Sequence, residues 1–295
     1  MAKTATTKAA RNTAPNAAAL PVVDFLQPAG EPALAGPDSV SWRVFKNLVA
    51  LYIGGIAAVL LELAEPRVRS GVWDHTTFRT DPLTRMQRTG IAAMVTVYGA
   101  RSVAQTMIRG ITKMHARVQG ETPDGRSYRA LEPELMNWVQ VTASYGFLQA
   151  YHHFVTPLSA ADRDRFYVDA QAGARLYGAP GAPANEAQQQ ALFAHMLPQL
   201  EPSEIVFEFL DIMRRTGGLP PLMRPLQPLF LRAAISILPE PVRVRLQLDK
   251  GYRLTGWQRQ LVKLSGALAD RIVLRSAPPA QACVRMGLPA DYLYK

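Results

Sequence analysis

The sequence predicts an all-α fold built as one domain, and three observations carry that expectation. Beyond residue 36, apolar residues recur at helical spacing, while strand-like alternation is scarce. Capping residues and proline–glycine punctuation divide these stretches into helices of ordinary length. No internal repeat and no linker-like composition splits the chain, so residues 37–295 are expected to form a single helical domain.

Residues 1–36 are rich in Ala, Thr and Pro and carry Lys3, Lys8 and Arg11 before the first acid, Asp24. They contain no continuous apolar core of signal-peptide length and no twin arginine, and are expected to form a disordered basic arm. Ser41 is placed to cap a helix running to about Ala64 and stopping at Glu65-Pro66. The Gly54-Gly55 pair inside it weakens helix propensity, which points to close packing of another helix or of a flat ligand. Asp81-Pro82 opens a long helical region reaching about Val118, with a break expected near Gly99 or Gly110.

Pro123-Asp124-Gly125 marks a tight turn, and Glu132-Pro133-Glu134 starts the helix that carries Trp138, Tyr145 and Tyr151. Ser159 with Asp162 begins a helix through about Leu176. Shorter helices follow near 186–197, 203–215, 229–238 and 256–271. The uncharged stretch Asn47 to Leu61 falls short of the roughly 20 residues that span a bilayer, so a buried core helix is expected there and no stable membrane span.

A hydrophobic content of 48% excludes a mainly disordered chain, and only 19% charged residues leave much of the surface neutral or apolar. The net charge of +10 raises the question of nucleic acid. The arginines are scattered over helical stretches, however, with no Lys/Arg run and no aromatic–basic platform, so no nucleic-acid partner is expected. Cytoplasmic residence is the default expectation. The single cysteine, Cys283, excludes an intrachain disulfide, a Cys-pair zinc site and covalent haem attachment through C-x-x-C-H.

Several chemistries are excluded by spacing. The chain has no G-x-x-x-x-G-K-[ST], no G-x-S-x-G, no H-E-x-x-H and no Glu three residues before any His. Of its five histidines, His115 shares a helical stripe with Ile108, Ile111 and Val118. A neutral imidazole among apolar side chains suits haem iron, and equally suits a core or helix-end histidine. Arg85, Arg88 and Thr89 share one helix face at i, i+3 and i+4. Their donors suit carboxylates, and a solvated basic face has the same pattern.

The segment from Glu65 to Leu158 adds an ordered series of motifs. It contains Glu65-Pro66-Arg67-Val68, Trp73-Asp74-His75, the run Asp81 to Thr89, and Met114-His115-Ala116-Arg117-Val118-Gln119-Gly120. Tyr128-Arg129-Ala130, Pro133-Glu134-Leu135, Trp138-Val139 and Pro157-Leu158-Ser159 follow. In order and spacing this resembles the catalytic domain shared by latex clearing proteins (rubber oxygenases) and the fungal oxygenase MpaB, and a looser likeness extends over about 40–290.

The resemblance implies a globin-like helical core holding haem b noncovalently, with His115 as the proximal iron ligand. The distal Arg-x-x-Lys-Thr motif of latex clearing proteins falls on Arg85, Arg88 and Thr89, so Arg88 stands where some members carry a lysine able to ligate iron. A guanidinium stays protonated and cannot readily take that role. The resemblance makes Arg85, Arg88 and His75 cofactor-pocket residues, with Arg88 and Thr89 catalytic. The rubber-cleaving members' catalytic Glu leaves Glu62 and Glu65 as open alternatives.

The function expected is a haem-dependent oxygenase. It would use O2 or peroxide on a small apolar substrate of terpenoid or lipid-like class. A non-catalytic haem-binding or haem-sensing protein, and a haem-free helical scaffold, are the rival readings.

Overall fold

The computed structural model describes residues 22–216, 218–249 and 251–295, among which lie thirteen α-helices and one two-stranded hairpin. The expected all-α architecture is the one observed. Helix α1 (Val40–Phe45) starts two residues earlier than expected because Ser39, not Ser41, is the cap and accepts from the Trp42 amide. The chain then breaks at Asn47 before α2 (Leu48–Ala64). Asn47 caps α2 by accepting from the Ala50 amide at 3.0 Å, while its own amide group donates to the Gly266 carbonyl at 2.9 Å. One helix was expected here, and a distant part of the chain divides it in two.

Glu65 ends α2 and caps α3 (Pro66–His75), accepting from the Val68 amide at 2.7 Å, with Pro66 in the first turn. The long region from Pro82 is α4 (Pro82–Tyr98) and α5 (Arg101–His115), broken at Gly99. Gly110 lies inside α5 with open space around it.

Strands β1 (Gln119–Glu121) and β2 (Ser127–Arg129) pair antiparallel, Gly120 opposite Tyr128, across the turn expected at residues 123–125. Helices α6 (Pro133–Phe154) and α7 (Ala160–Tyr177) follow. α7 is capped by Ser159 and ends at Gly178, whose φ of 86° suits glycine. Next come α8 (Glu186–Met196), α9 (Glu204–Arg215), α10 (Gln227–Ser236), α11 (Glu240–Arg245), α12 (Gly256–Ala269) and α13 (Pro278–Arg285). Short α3, α11 and α13 were not expected as separate elements.

α2 is the core's central helix. Its residues Ile53, Leu60, Leu61 and Leu63 are fully buried, and its longest contact runs along α6. The two helices meet backbone to backbone: a Cβ on Gly54 would lie 2.7 Å from the Gly146 carbonyl oxygen. Of the two occupants expected against Gly54, the helix is the one found. Buried polar groups tie the layers. Trp138 Nε1 donates to the Leu61 carbonyl at 3.2 Å, Tyr98 Oη to the Trp42 carbonyl at 2.7 Å, and Tyr145 Oη to the Ile237 carbonyl at 2.7 Å.

The arm expected over 1–36 lies outside the described residues as far as residue 21. From Val22 onward the chain packs on the domain. Phe25 and Ala33 join the core, and Arg285 donates to the carbonyls of Phe25 and Glu31, each at 2.9 Å. Among the described residues no single helix is long and apolar enough to cross a membrane. α2 and α3 reach that length and composition only as a pair bent by 110°.

Candidate functional site

Along α2, a helix otherwise sealed in the core, Tyr52, Gly55, Val59 and Glu62 keep some accessible surface. Their spacing of three, four and three places them on one face. Across from the C-terminal end of this face stands Arg85 of α4, whose charge acts on Glu62 and on His115, the last residue of α5. At the other end, a Cβ on Gly218 would lie 3.3 Å from Met86 Cε and 3.6 Å from Tyr52 Cε2, so the α9–α10 connection closes the gap between α2 and α4.

These side chains are only partly accessible. Burial pushes the Glu62 carboxyl up to about 7, against the pull of the Arg85 guanidinium. Burial lowers Arg85, opposed by Glu62 and reinforced by neighbouring Arg88. His115 is held below the ordinary imidazole value by burial first and by Arg85 second, which favours the neutral ring. His115 Nδ1, Tyr52 Oη and Thr112 Oγ1 are buried without a hydrogen-bond partner among the described residues. Such groups are costly when left unpaired. Thr112 stands one turn before His115 on α5, and burial pushes the Tyr52 hydroxyl up to about 12.

The expected site residues divide between two places. Arg85, Arg88, Thr89 and His115 come together: Arg85 donates to Thr89 Oγ1, which donates back to the Arg85 carbonyl at 3.0 Å. His75 lies apart from this electrostatic cluster. It is exposed at the end of α3, with Nε2 3.1 Å from Tyr128 Oη on the hairpin.

The two open carboxylates separate as well. Glu65 is fully buried as the cap of α3 and is paired with Arg67 at 2.7 Å, a structural role, whereas Glu62 lies under the influence of the Arg85 charge. Tyr52 and Thr112 were not anticipated. The three–four–three spacing of Tyr52, Gly55, Val59 and Glu62 was the available signal.

The raised pKa of Glu62 gives the protein a pH-dependent stability. The unfolded chain releases this proton near the ordinary Glu value and the folded chain only near 7, so stability falls as pH rises through that window. Glu62→Gln is therefore expected to be roughly 2 kcal/mol more stable than the parent at pH 8 and nearly equal at pH 4. Urea unfolding at the two pH values measures this. An equal difference at both would show that Glu62 is not buried as a neutral acid.

Among the described residues no three metal-binding side chains converge. A metal held here would therefore need most of its ligands from a cofactor, with one imidazole from the chain. The fold is an all-α domain in which Arg85 acts on both Glu62 and the partly buried imidazole of His115. Residues 42–269, more than three quarters of the chain, match the family described as ER-bound oxygenase mpaB/B′/rubber oxygenase, catalytic domain. The chain belongs to this family of oxygenase catalytic domains. No curated protein and no solved structure matches it.

Proposed function

We propose that the chain is a haem b-dependent oxygenase. Its substrate is a small apolar organic molecule of terpenoid or lipid-like class, and its oxidant O2 or peroxide. The observation that carries this reading is His115, an imidazole whose neutral form is favoured by burial and by the Arg85 charge, with Nδ1 buried and without a partner among the described residues. Haem b, when bound, supplies an iron centre that can activate O2 or peroxide.

His115 would hold that iron, since neutral imidazole is the ligating form and the porphyrin nitrogens supply the remaining in-plane ligands. Arg85 and Arg88 supply fixed donors for propionates and for negative charge developing on the reacting oxygen. Thr89 orients the Arg85 guanidinium through their mutual hydrogen bonds. Glu62 holds its carboxyl proton below about pH 7 and releases it above, beside Arg85. Val59 and Met86, partly buried apolar side chains, favour an apolar substrate and exclude water.

The test is an absorption spectrum of the purified protein, expected to show a Soret band at about 400 nm, followed by oxygen uptake dependent on an added apolar substrate. A colourless protein that takes up no haem would end the proposal. A Soret band without substrate-dependent uptake would favour the haem-sensing reading.

Arg88→Lys probes the distal wall. Arg88 offers no lone pair, so the ferric parent is expected to be high-spin or mixed-spin, whereas lysine can lose its proton when desolvated near a metal. The variant is expected to move toward low spin as pH rises. Arg85→Lys, placed between Glu62 and His115, is expected not to. A parent protein already low-spin with a nitrogenous sixth ligand would defeat this assignment.

A further inference from the structure

α12 carries two apolar faces. One packs inward: Val262 and Gly266 are buried, and Gly266 lies too close to the Phe154 carbonyl to accept a Cβ. The other faces solvent. Trp257, Leu264 and Leu268 are 67%, 56% and 55% exposed. With half-buried Leu261 between them, they follow at spacings of four, three and four on one stripe. Ile272 and Leu274 continue the exposed row past the helix end. Leu48, at the start of α2, is also exposed. A contiguous exposed apolar row of this kind marks a docking surface.

Its charge setting selects the occupant. From Gly251 to Arg275 the chain carries Arg253, Arg259, Lys263, Arg271 and Arg275 against one acid, Asp270. That acid is turned inward, 3.2 Å from Lys46 Nζ and 3.1 Å from Asn47 Nδ2. Asp249, in the loop before α12, is an exposed acid. Pairing two copies through this face would bring like charges together, which disfavours a second copy. An apolar row with tryptophan at one end, edged by long cationic side chains that can reach outward, fits the interface of an anionic bilayer.

We propose that α12 and its flanks dock the protein flat on an anionic lipid surface. Trp257, Leu264 and Leu268 enter the acyl boundary, while Arg253, Lys263, Arg271 and Arg275 meet the headgroups. This peripheral contact is independent of the haem reading and needs no membrane-spanning helix.

Co-sedimentation of the full-length protein with phosphatidylcholine vesicles, with and without phosphatidylserine, tests it. Binding is expected only with phosphatidylserine and is expected to weaken as salt rises. Tryptophan fluorescence is expected to shift to the blue on binding and to be quenched by brominated lipid. The signal reports Trp257, because Trp42 and Trp138 are fully buried and Trp73 is stacked on Phe78. Trp257→Phe is expected to remove the shift and keep binding. Leu264→Glu with Leu268→Glu is expected to lower partitioning at least tenfold with unchanged far-UV circular dichroism.

Absence of vesicle binding, or full binding by the double variant, would overturn the proposal. So would a solution dimer that the double variant splits, or equally tight binding to soluble polyglutamate without the fluorescence shift, the mark of an acidic protein partner.

Discussion

His115→Ala is expected to abolish stoichiometric haem binding while leaving the helical fold largely intact. The side chain makes no hydrogen bond among the described residues, and its Nδ1 is an orphan, so its removal breaks no structural tie. It is also the last residue of α5, where alanine is well tolerated. The haem-free variant should therefore match the haem-free parent in far-UV circular dichroism and in stability to within about 1 kcal/mol. What it loses is the proposed iron ligand. Titration with haem, followed by the Soret band, is expected to show loss of the one-to-one endpoint. His75→Ala is the control: it gives up the bond to Tyr128 Oη, costing about 1 kcal/mol, and is expected to keep the iron. Full haem binding with an unchanged spectrum in the His115 variant would exclude His115 as the ligand and leave His75 next in line.

Local signals carried most of the helix boundaries. Asp81-Pro82, Glu132-Pro133 and Ser159 start helices where such residues should, because a cap or a first-turn proline acts on its own neighbours. The break at Asn47 was not legible in that way. It depends on the Gly266 carbonyl, 219 residues further along, accepting from the Asn47 side chain.

The site shows the same division. The Arg85–Thr89 face could be read within one helix, and so could the His115 stripe as far as His115, but Val118 falls beyond the end of α5. The placement of Arg85 between Glu62 and His115 could not, since α2, α4 and α5 are joined there only by tertiary packing. Glu62 and Glu65 looked equivalent at i and i+3 on one helix. The turn at Pro66 takes Glu65 out of that helix and makes it the cap of the next one. Apolar spacing in α12 was visible, but which of its two apolar faces meets the core is decided by Gly266 against Phe154.

The largest stability effect is expected where α2 crosses α6. A Cβ on Gly54 would lie 2.7 Å from the Gly146 carbonyl oxygen and 2.8 Å from Phe147 Cα, and a Cβ on Gly146 would press on the Gly54 carbonyl in return. Both obstacles are backbone, so no rotamer change relieves them. The helices cannot part cheaply either, because Trp138 of α6 bonds the Leu61 carbonyl of α2 and both helices are enclosed by the core. Gly146→Ala is therefore expected to destabilise the protein by about 3 kcal/mol, in the upper range of overpacking, although alanine is by itself the better helix former. Gly110→Ala supplies the opposite sign. It lies inside α5 with nothing within 4 Å of the added Cβ, and should gain up to about 1 kcal/mol from helix propensity. Urea unfolding of the two variants separates conformational preference from close approach. Equal and small effects would mean that α2 and α6 do not touch at Gly54 and Gly146, which would reopen that crossing as room for a flat ligand.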